Sequence, residues 1–478
     1  MSSYETIIGL EVHVHIKTKT KAFCGCSTEF GKQPNSQTCP VCLGLPGSLP
    51  VLNAQYLQFA IRTALAFNCS VSSFTKFDRK NYYYPDLPKN YQISQYDLPL
   101  ALKGFIMISL DGKEKKIGIT RVHMEEDAGK LIHDETQPIS YVDYNRTGMP
   151  LLEIVSEPDM NSPEEAYEYL SNLKAILKYI EVSDCDMEKG SLRCDANISI
   201  RKKGEKKLGI KSELKNMNSF KAVKQALEFE INRQNKMISE GKAIIQETRL
   251  WDDQKQVSRQ MRSKEEAHDY RYFPDPDLVP FTIGKKQIKQ TESALPELPQ
   301  ARSKRFIKDY RLPEQDVNLI IHDKSLADYF EKCTKLLHEP KLISNWLIGP
   351  VMQELNERKI SINELDFKPE SLRSLIKLVS ANTISNLVAK EVLKQAVESG
   401  KSPEEIVKEK NLAQVSDEGA LKEIISGVLS ENQKSVESYK EGKENAIMFL
   451  VGQVMKKSNG KANPKIVQEL LRKEISND

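Results

Sequence analysis

No apolar run in the sequence approaches the roughly 18 residues needed to cross a bilayer, which argues against a membrane-spanning helix. The start, MSSYETIIGL, lacks a basic segment followed by an apolar one and is not rich in Arg, so no secretory or transit peptide is visible. A cytoplasmic location with no membrane partner is therefore expected. An excess of charge of one sign is also missing. Lys and Arg number 70 against 67 Asp and Glu, a net charge of +3 that is too balanced to name nucleic acid as a partner by itself. The phosphate-binding devices G-x-x-x-x-G-K-[ST] and G-x-G-x-x-G are absent, as is the nucleophile elbow G-x-S-x-G. If ATP is used, it is held in some other way. Eight cysteines spread over 478 residues are too dilute for a secreted disulfide scaffold.

The composition present, 39% hydrophobic and 29% charged, suits a globular protein. The length suggests about three domains. From the start to about residue 292 the signals mix strands and helices. In IIGLEVHVHIK, Ile8, Leu10, Val12, Val14 and Ile16 alternate with Glu11, His13 and His15, the period of a strand with one apolar face. SLRCDANISIR alternates likewise, with Arg193, Asp195, Asn197, Ser199 and Arg201 on its polar side. IKSELKN follows after the turn KKGEKKLG and predicts an antiparallel partner, with Lys211, Glu213 and Lys215 on one face. Helices are expected from Ser162, as N-cap with Glu165 as capping-box partner, and from about Ser219 to Glu240. SALPELPQARSKRF reads as a linker. Beyond it helices are expected at 300–312, 325–338, 340–357, 369–380 and 384–399, then from Ser402 and on to a Gly-containing turn, KKSNGKANP. The expected fold is multidomain α+β. It comprises a mixed body at 1–292 with an antiparallel sheet and a small metal-binding loop, a helical domain at 293–405 and a helical tail at 406–478.

Three constellations carry chemistry. Cys24, Cys26, Cys39 and Cys42 follow a C-x-C, twelve-residue, C-x-x-C spacing that presents two thiolate pairs to one tetrahedral ion, and a closed four-sulfur site is structural zinc. Free redox-active thiols and an iron–sulfur cluster are the alternatives. Cys69, Cys185, Cys194 and Cys333 are expected to be small buried hydrophobes. In RVHMEEDAGK, Glu125, Glu126 and Asp127 are consecutive acids that repel unless solvated or neutralised by a cation. Pooled on one sheet with Glu11, His13, Asp195 and Glu213, Glu125 and Glu126 would make a basin of oxygen ligands suited to magnesium. A solvated strand face is the bland alternative. Third, KFDRKNYYYPDLPKNYQISQYDLP interleaves Lys76, Arg79, Lys80 and Lys89 with Tyr82, Tyr83, Tyr84, Tyr91 and Tyr96. The cations could neutralise a transferring phosphate, and the aromatics could stack on a base or pack as core. The basic stretch Lys456, Lys457, Lys461, Lys465, Arg472 and Lys473 reads first as a solvated helix face.

The stretches IGLEVHVHIKTKTKAFCGC, PNSQTCPVCLGLPGSLPVLN, FDRKNYYYPDLPKNYQISQ, HMEEDAGK, DYNRTGMPLLEIVSEPD, MEKGSLRCDANISIR, ELKNMNSF, DYRYFPDPDLVP and FLVGQVMKKSNGKANPKIVQELL together resemble the B-subunit family of the bacterial Asp/Glu-tRNA amidotransferases. The resemblance spans essentially the whole chain. It implies an ATP- and magnesium-dependent phosphorylation of the side-chain carboxylate of misacylated Glu-tRNA(Gln) or Asp-tRNA(Asn). Ammonia channelled from an amidase subunit then forms the C–N bond with glutamine as amido donor, and the pair is braced by a small third subunit. It further implies a magnesium and catalytic set of Glu11, His13, Glu125 and Glu126. Lys80 and Lys89 would line the ammonia route or face phosphate, while Arg79, Asp195, Asn197, Glu213 and Lys215 would contact substrate or phosphate. Zinc would hold a loop, and the helical parts would grip tRNA. His15 is not carried over and is expected to be a surface residue on the same strand face. A non-catalytic, zinc-containing tRNA-binding module is the competing expectation.

Overall fold

The computed structural model describes residues 4–134, 136–261, 270–413, 418–458, 462 and 464–477. The expected turn at 456–464 lies partly outside them, at 459–461 and 463, as do Lys461, the side chain of Lys465, and Asp269. The chain divides into two compact units, Met1–Pro299 and Gln300–Asp478.

The first unit is built on a nine-stranded sheet. Its strands in chain order are β1 (Tyr4–His15), β2 (Ser70–Val71), β3 (Ala101–Leu110), β4 (Lys113–Glu126), β5 (Pro150–Ser156), β6 (Leu192–Lys202), β7 (Ser212–Lys215), β8 (Glu247–Asp252) and β9 (Val257–Gln260). They lie side by side as β9-β8-β7-β6-β1-β5-β4-β3-β2. Neighbours are antiparallel except β7 and β8, which run parallel. The alternation legible in the sequence puts Ile8, Leu10, Val12 and Val14 of β1 into the core with Ile117, Ile119, Val122 and Met124 of β4 and Cys194, Ala196 and Ile198 of β6. Helices α1 (Ala54–Ala66), α2 (Pro163–Tyr179) and α3 (Phe220–Ser239) add to the same core through Tyr56, Ile61, Leu170, Leu173, Val223 and Leu227. The other side of each strand is left to its polar residues.

Local signals explain the helix starts. Ser162 Oγ accepts from the backbone N–H of Glu165 at 3.2 Å, and Ser219 Oγ accepts from Ala222 at 3.0 Å. The reciprocal half of the expected capping box is not made. The Glu165 carboxylate accepts instead from the Asn161 backbone N–H and from Lys115, both at 2.7 Å. The cation and the earlier amide outcompete the N-cap amide for it.

The second unit is helical. It has two separate hydrophobic clusters, one drawn from Phe306 to Val407 and one from Leu421 to Ile475. A helix at Glu314–Ile321 was not expected from the sequence. The expected single helix at 340–357 is three pieces: α-helix Pro340–Trp346, a π-helical turn Leu347–Val351, and α-helix Met352–Arg358. Pro350 has no N–H to give the ladder and its ring crowds the preceding turn, so the helix widens there. Among the described residues no helix is long and apolar enough to cross a membrane.

Candidate active site

Strand register assembles the site. Glu153 of β5 pairs with His13 of β1 on one side and with His123 of β4 on the other, and His13 pairs with Arg193 of β6. One row of side chains, His123–Glu153–His13–Arg193, thus crosses four adjacent strands. Glu11 lies two residues from His13 and Glu125 two residues from His123, so both share the polar face of that row. His13 Nε2 stands 3.5 Å from Glu11 Oε1 and 3.7 Å from Glu153 Oε2, and His123 Nδ1 is 3.7 Å from Glu153 Oε1.

Two overlapping sets result: Glu11, His13 and Glu153, and His123, Glu125 and Glu153, each with its ligand atoms within 4.8 Å of one another. Burial, and then the charge of Glu153, raises the carboxyl pKa of both Glu11 and Glu125. Burial opposes the charge on Glu153 as well, but His13, His123 and Lys80 together draw its pKa down to about 2. His13 is raised despite burial, by its bond to Glu153, whereas burial lowers His123 to about 4. His123 is therefore neutral near pH 7, and its buried Nε2 has no hydrogen-bond partner among the described residues. Two carboxyls whose ionisation burial and Glu153 oppose, the ionised Glu153 itself and a neutral imidazole with an unpartnered nitrogen fit a divalent cation.

The expected set is only partly this one. Glu11, His13 and Glu125 converge. Glu126 lies outside both triads: it is ion-paired with Lys89 and accepts from the backbone N–H of Ile93 at 3.0 Å. Strand alternation turns it away from Glu125. With Lys89 it lines a cavity of about 220 Å³ that also touches Cys24, Cys42, Arg79 and Asp277. Lys80 stays on the carboxylate side. Burial opposes its charge, but Glu125, Tyr272 and Glu153 raise its pKa. Arg79 is held by Asp275 at 2.9 Å and Asp277 at 2.8 Å.

The remaining candidates extend the row outward. Asp195 pairs with Glu11 in register, and Asn197 with Glu213. Lys215 Nζ bridges Asp195 at 2.7 Å and Glu213 at 3.2 Å. The Oδ1 of Asn197 is buried with no partner among the described residues.

His15 is not a surface residue. Its Nε2 is 2.6 Å from Asp127 Oδ2, which also receives Arg193 at 2.8 Å and lies 3.4 Å from Arg146. Burial works against the Asp127 charge, yet Arg193, Arg146 and His15 hold its pKa well below the usual carboxylate range. The run Glu125-Glu126-Asp127 is thus tolerated because its members go to different partners. Glu125 takes Ser94 Oγ and Gln92, Glu126 takes Lys89, and Asp127 takes the two arginines.

Sequence reasoning missed Glu153, His123 as a ligand, and Arg193 beside His13. The signal for Glu153 is a lone acid in PLLEIVS, where apolar residues on both sides hide the alternation.

The cysteine loop forms a second centre. The sulfurs of Cys24, Cys26, Cys39 and Cys42 all lie within 4.8 Å of one another. Cys42 Sγ also receives the Cys39 backbone N–H at 3.2 Å and faces Lys21 Nζ at 3.8 Å. Bonding from Cys24 lowers the Cys42 thiol to about 5, and burial raises Cys26 to about 11. Four sulfurs gathered this closely are the donor set a tetrahedral ion takes, each binding as thiolate once its proton is released. The four scattered cysteines are buried, as expected.

The mostly antiparallel sheet, with its acid and imidazole row and four-cysteine loop, falls within a recognised class: residues 6–289 match the GatB/GatE catalytic domain, and residues 328–475 match the GatB domain. The chain is 56% identical over 479 residues to the aspartyl/glutamyl-tRNA(Asn/Gln) amidotransferase B subunit of Carboxydothermus hydrogenoformans, covering 100% of both. It is 56% identical over 473 residues to that of Caldanaerobacter subterraneus subsp. tengcongensis (99% of both) and 51% over 476 to that of Brevibacillus brevis (100% of both). The chain belongs to the family of aspartyl/glutamyl-tRNA(Asn/Gln) amidotransferase B subunits.

Proposed function

We propose that the chain is the component of a glutamine-dependent, tRNA-linked ligase that activates the side-chain carboxylate of misacylated Glu-tRNA(Gln), Asp-tRNA(Asn) or both. Glu153, flanked by His13 and His123 and accompanied by Glu11 and Glu125, carries the reading. A carboxylate is a poor electrophile because oxide is a poor leaving group. In the proposed reaction its oxygen attacks the γ-phosphorus of ATP and the bond to ADP breaks. The nitrogen of ammonia from an amidase subunit then attacks the acyl carbon, and phosphate leaves.

Glu11, His13 and Glu153 on one side, and His123 and Glu125 on the other, would hold magnesium beside the phosphates. Bound there, magnesium offsets charge on the transferring phosphoryl group. Lys80, kept charged by Glu125 and Glu153, adds a cation at the same face. Arg193, Lys215 and Asn197 flank the row and would orient phosphate or the reacting carboxylate. Lys89 and Glu126 would stand on the ammonia side. Zinc on the four cysteines would hold the loop, and the helical domains at 293–405 and 406–478 would bind tRNA, with the assembly braced by the third subunit.

The test is magnesium-dependent ATP cleavage by this chain with its amidase partner, given uncharged tRNA(Gln) or Glu-tRNA(Gln). Stimulation by the misacylated tRNA only, lost in Glu125→Gln, is expected. Tight tRNA binding with no stimulation would leave the chain a zinc-containing binding module.

A further inference from the structure

The Lys89–Glu126 pair is walled by the cysteine loop. Cys42 lies in the short helix Pro40–Leu43, and Gly44 caps that helix in a left-handed conformation, φ 66°. The Gly44 backbone lies against the stem of Lys89. A Cβ at Gly44 would stand 2.5 Å from Lys89 Cγ, 3.2 Å from its Cβ and 3.3 Å from its Cδ. Only glycine permits both this φ and this approach. A second contact joins the same two centres: a Cβ at Gly148 would stand 3.5 Å from Cys42 Cβ and 3.8 Å from Glu126 Oε2. The Gly148 carbonyl accepts from the Ala22 backbone N–H at 2.9 Å, two residues before Cys24. Cys24, Cys42, Gly44, Lys89 and Glu126 therefore border one cavity.

The pair itself is buried, with the side chains of Lys89 and Glu126 only 5% and 3% exposed. The Glu126 carboxylate is fixed further by the Ile93 backbone N–H. A lysine reaches its partner through a flexible four-carbon stem, so what packs on the stem decides where the ammonium stands. Here that wall is the residue two places after a sulfur ligand. A helix of four residues does not stand by itself. Leu45, Leu49 and Val51 beyond it are exposed, so the chain around Gly44 has little apolar packing of its own. The four converging sulfurs are what can hold it in place.

We propose that the four-cysteine loop is a positioning element for the Lys89–Glu126 pair: an ion on the four sulfurs holds Gly44 against the Lys89 stem and so sets where the ammonium meets Glu126. This deepens the function proposed above, in which the pair stands on the ammonia side, and it makes Gly44 a positioning residue. The coupling is reciprocal. If the ion places Lys89, the Lys89 stem alters the affinity for the ion by the same factor.

The first test needs no turnover. Zinc affinity of the full chain is measured by chelator competition in wild type, Gly44→Ala, Lys89→Ala and the double variant. Gly44→Ala should weaken zinc binding about 10-fold, within the range of coupled sites. Lys89→Ala in the same chain should restore part of that loss, because the stem that the new methyl meets is gone. Strain at φ 66° acting alone would leave the double variant as weak as Gly44→Ala. That result, or unchanged affinity in Gly44→Ala, overturns the proposal. The second test uses the chain with its amidase partner and reads amide formed per ATP cleaved. Cys39→Ser and Lys89→Met should each lower the ratio about 10-fold, and the two together no further. Losses that multiply to about 100-fold would show the loop acting apart from Lys89. So would an unchanged ratio in a Cys39→Ser chain that holds no zinc, and either outcome overturns the positioning role. A wild type with no ATP cleavage but the expected recovery of zinc affinity would sink the activation chemistry and leave the loop's hold on Lys89 standing.

Discussion

His13 and Glu153 face each other across β1 and β5, Nε2 to Oε2 3.7 Å, and the second Glu153 oxygen is 3.7 Å from His123. One buried carboxylate therefore belongs to both candidate cation sets. Neither set is complete without it.

Glu153→Gln should abolish magnesium binding in isothermal titration and reduce ATP cleavage by about 100-fold or more, beyond the 10–100-fold typical of an outer-shell partner. Unchanged magnesium affinity would remove Glu153 from the ligand set.

The pH dependence of stability has two opposite parts. Glu11 and Glu125 have folded pKa values above the ordinary 4.5, so the folded chain binds more protons than the unfolded one over the window from 4.5 upward. Their contribution is present below 4.5 and lost as pH rises through the folded values. A magnesium ion held by these groups would take their deprotonated forms, so its stabilising effect should grow with pH across that window. Asp127 has the opposite sign: its contribution is present above 3.8 and lost as pH falls toward its lowered value. Thermal melts from about pH 2 to 8, with and without magnesium, check both parts. A magnesium shift that shrinks as pH rises would contradict the first.

Asp127→Asn leaves Arg193, Arg146 and His15 without their shared carboxylate. Breaking a fully buried pair costs about 3–5 kcal/mol. With Arg193 38% and Arg146 33% exposed, the low end, about 3 kcal/mol, is expected in urea unfolding.

Zinc content measured on the purified chain should be one ion per chain, falling to none in Cys39→Ser. Chelation should lower the thermal midpoint and change tryptic cleavage around 24–48, because structural zinc contributes folding energy directly. An unchanged melt after complete chelation would reduce the cluster to free thiols.

The Glu230 network can be tested by stability alone. Glu230 is fully buried and accepts from Arg233 at 2.7 Å and Gln234 at 2.8 Å. Glu230→Ala should destabilise by about 3–5 kcal/mol, since it strands a partly buried arginine between α3 and β8. A loss below about 1 kcal/mol would show that Glu247, 2.7 Å from Arg233, holds that charge by itself.

Strand identity and facing in β1, β6 and β7 were legible because side-chain period two is local: Glu11 and His13 are opposite Leu10 and Val12 whatever β1 pairs with. The cysteine spacing was legible for the same reason, two short pairs and one loop. The whole-length resemblance carried the family. Local reading fails where a neighbour in space decides. Glu165 looked like a capping-box partner until Lys115, 50 residues away, took it. His15 looked like surface until Asp127, 112 residues away, met it.

The sequence by itself determined which residues are polar on strands β1 and β6, where the helices beginning after Ser162 and Ser219 start, and which four sulfurs meet. Tertiary structure decided which acids work together. Strand order brings β5 between β1 and β4, and antiparallel register sets Glu153 between His13 and His123. It also sends Glu126 to Lys89 and away from Glu125. Adjacency across a sheet is fixed by pairing between residues far apart in the chain, and the distances that make a ligand set exist only once that pairing is made.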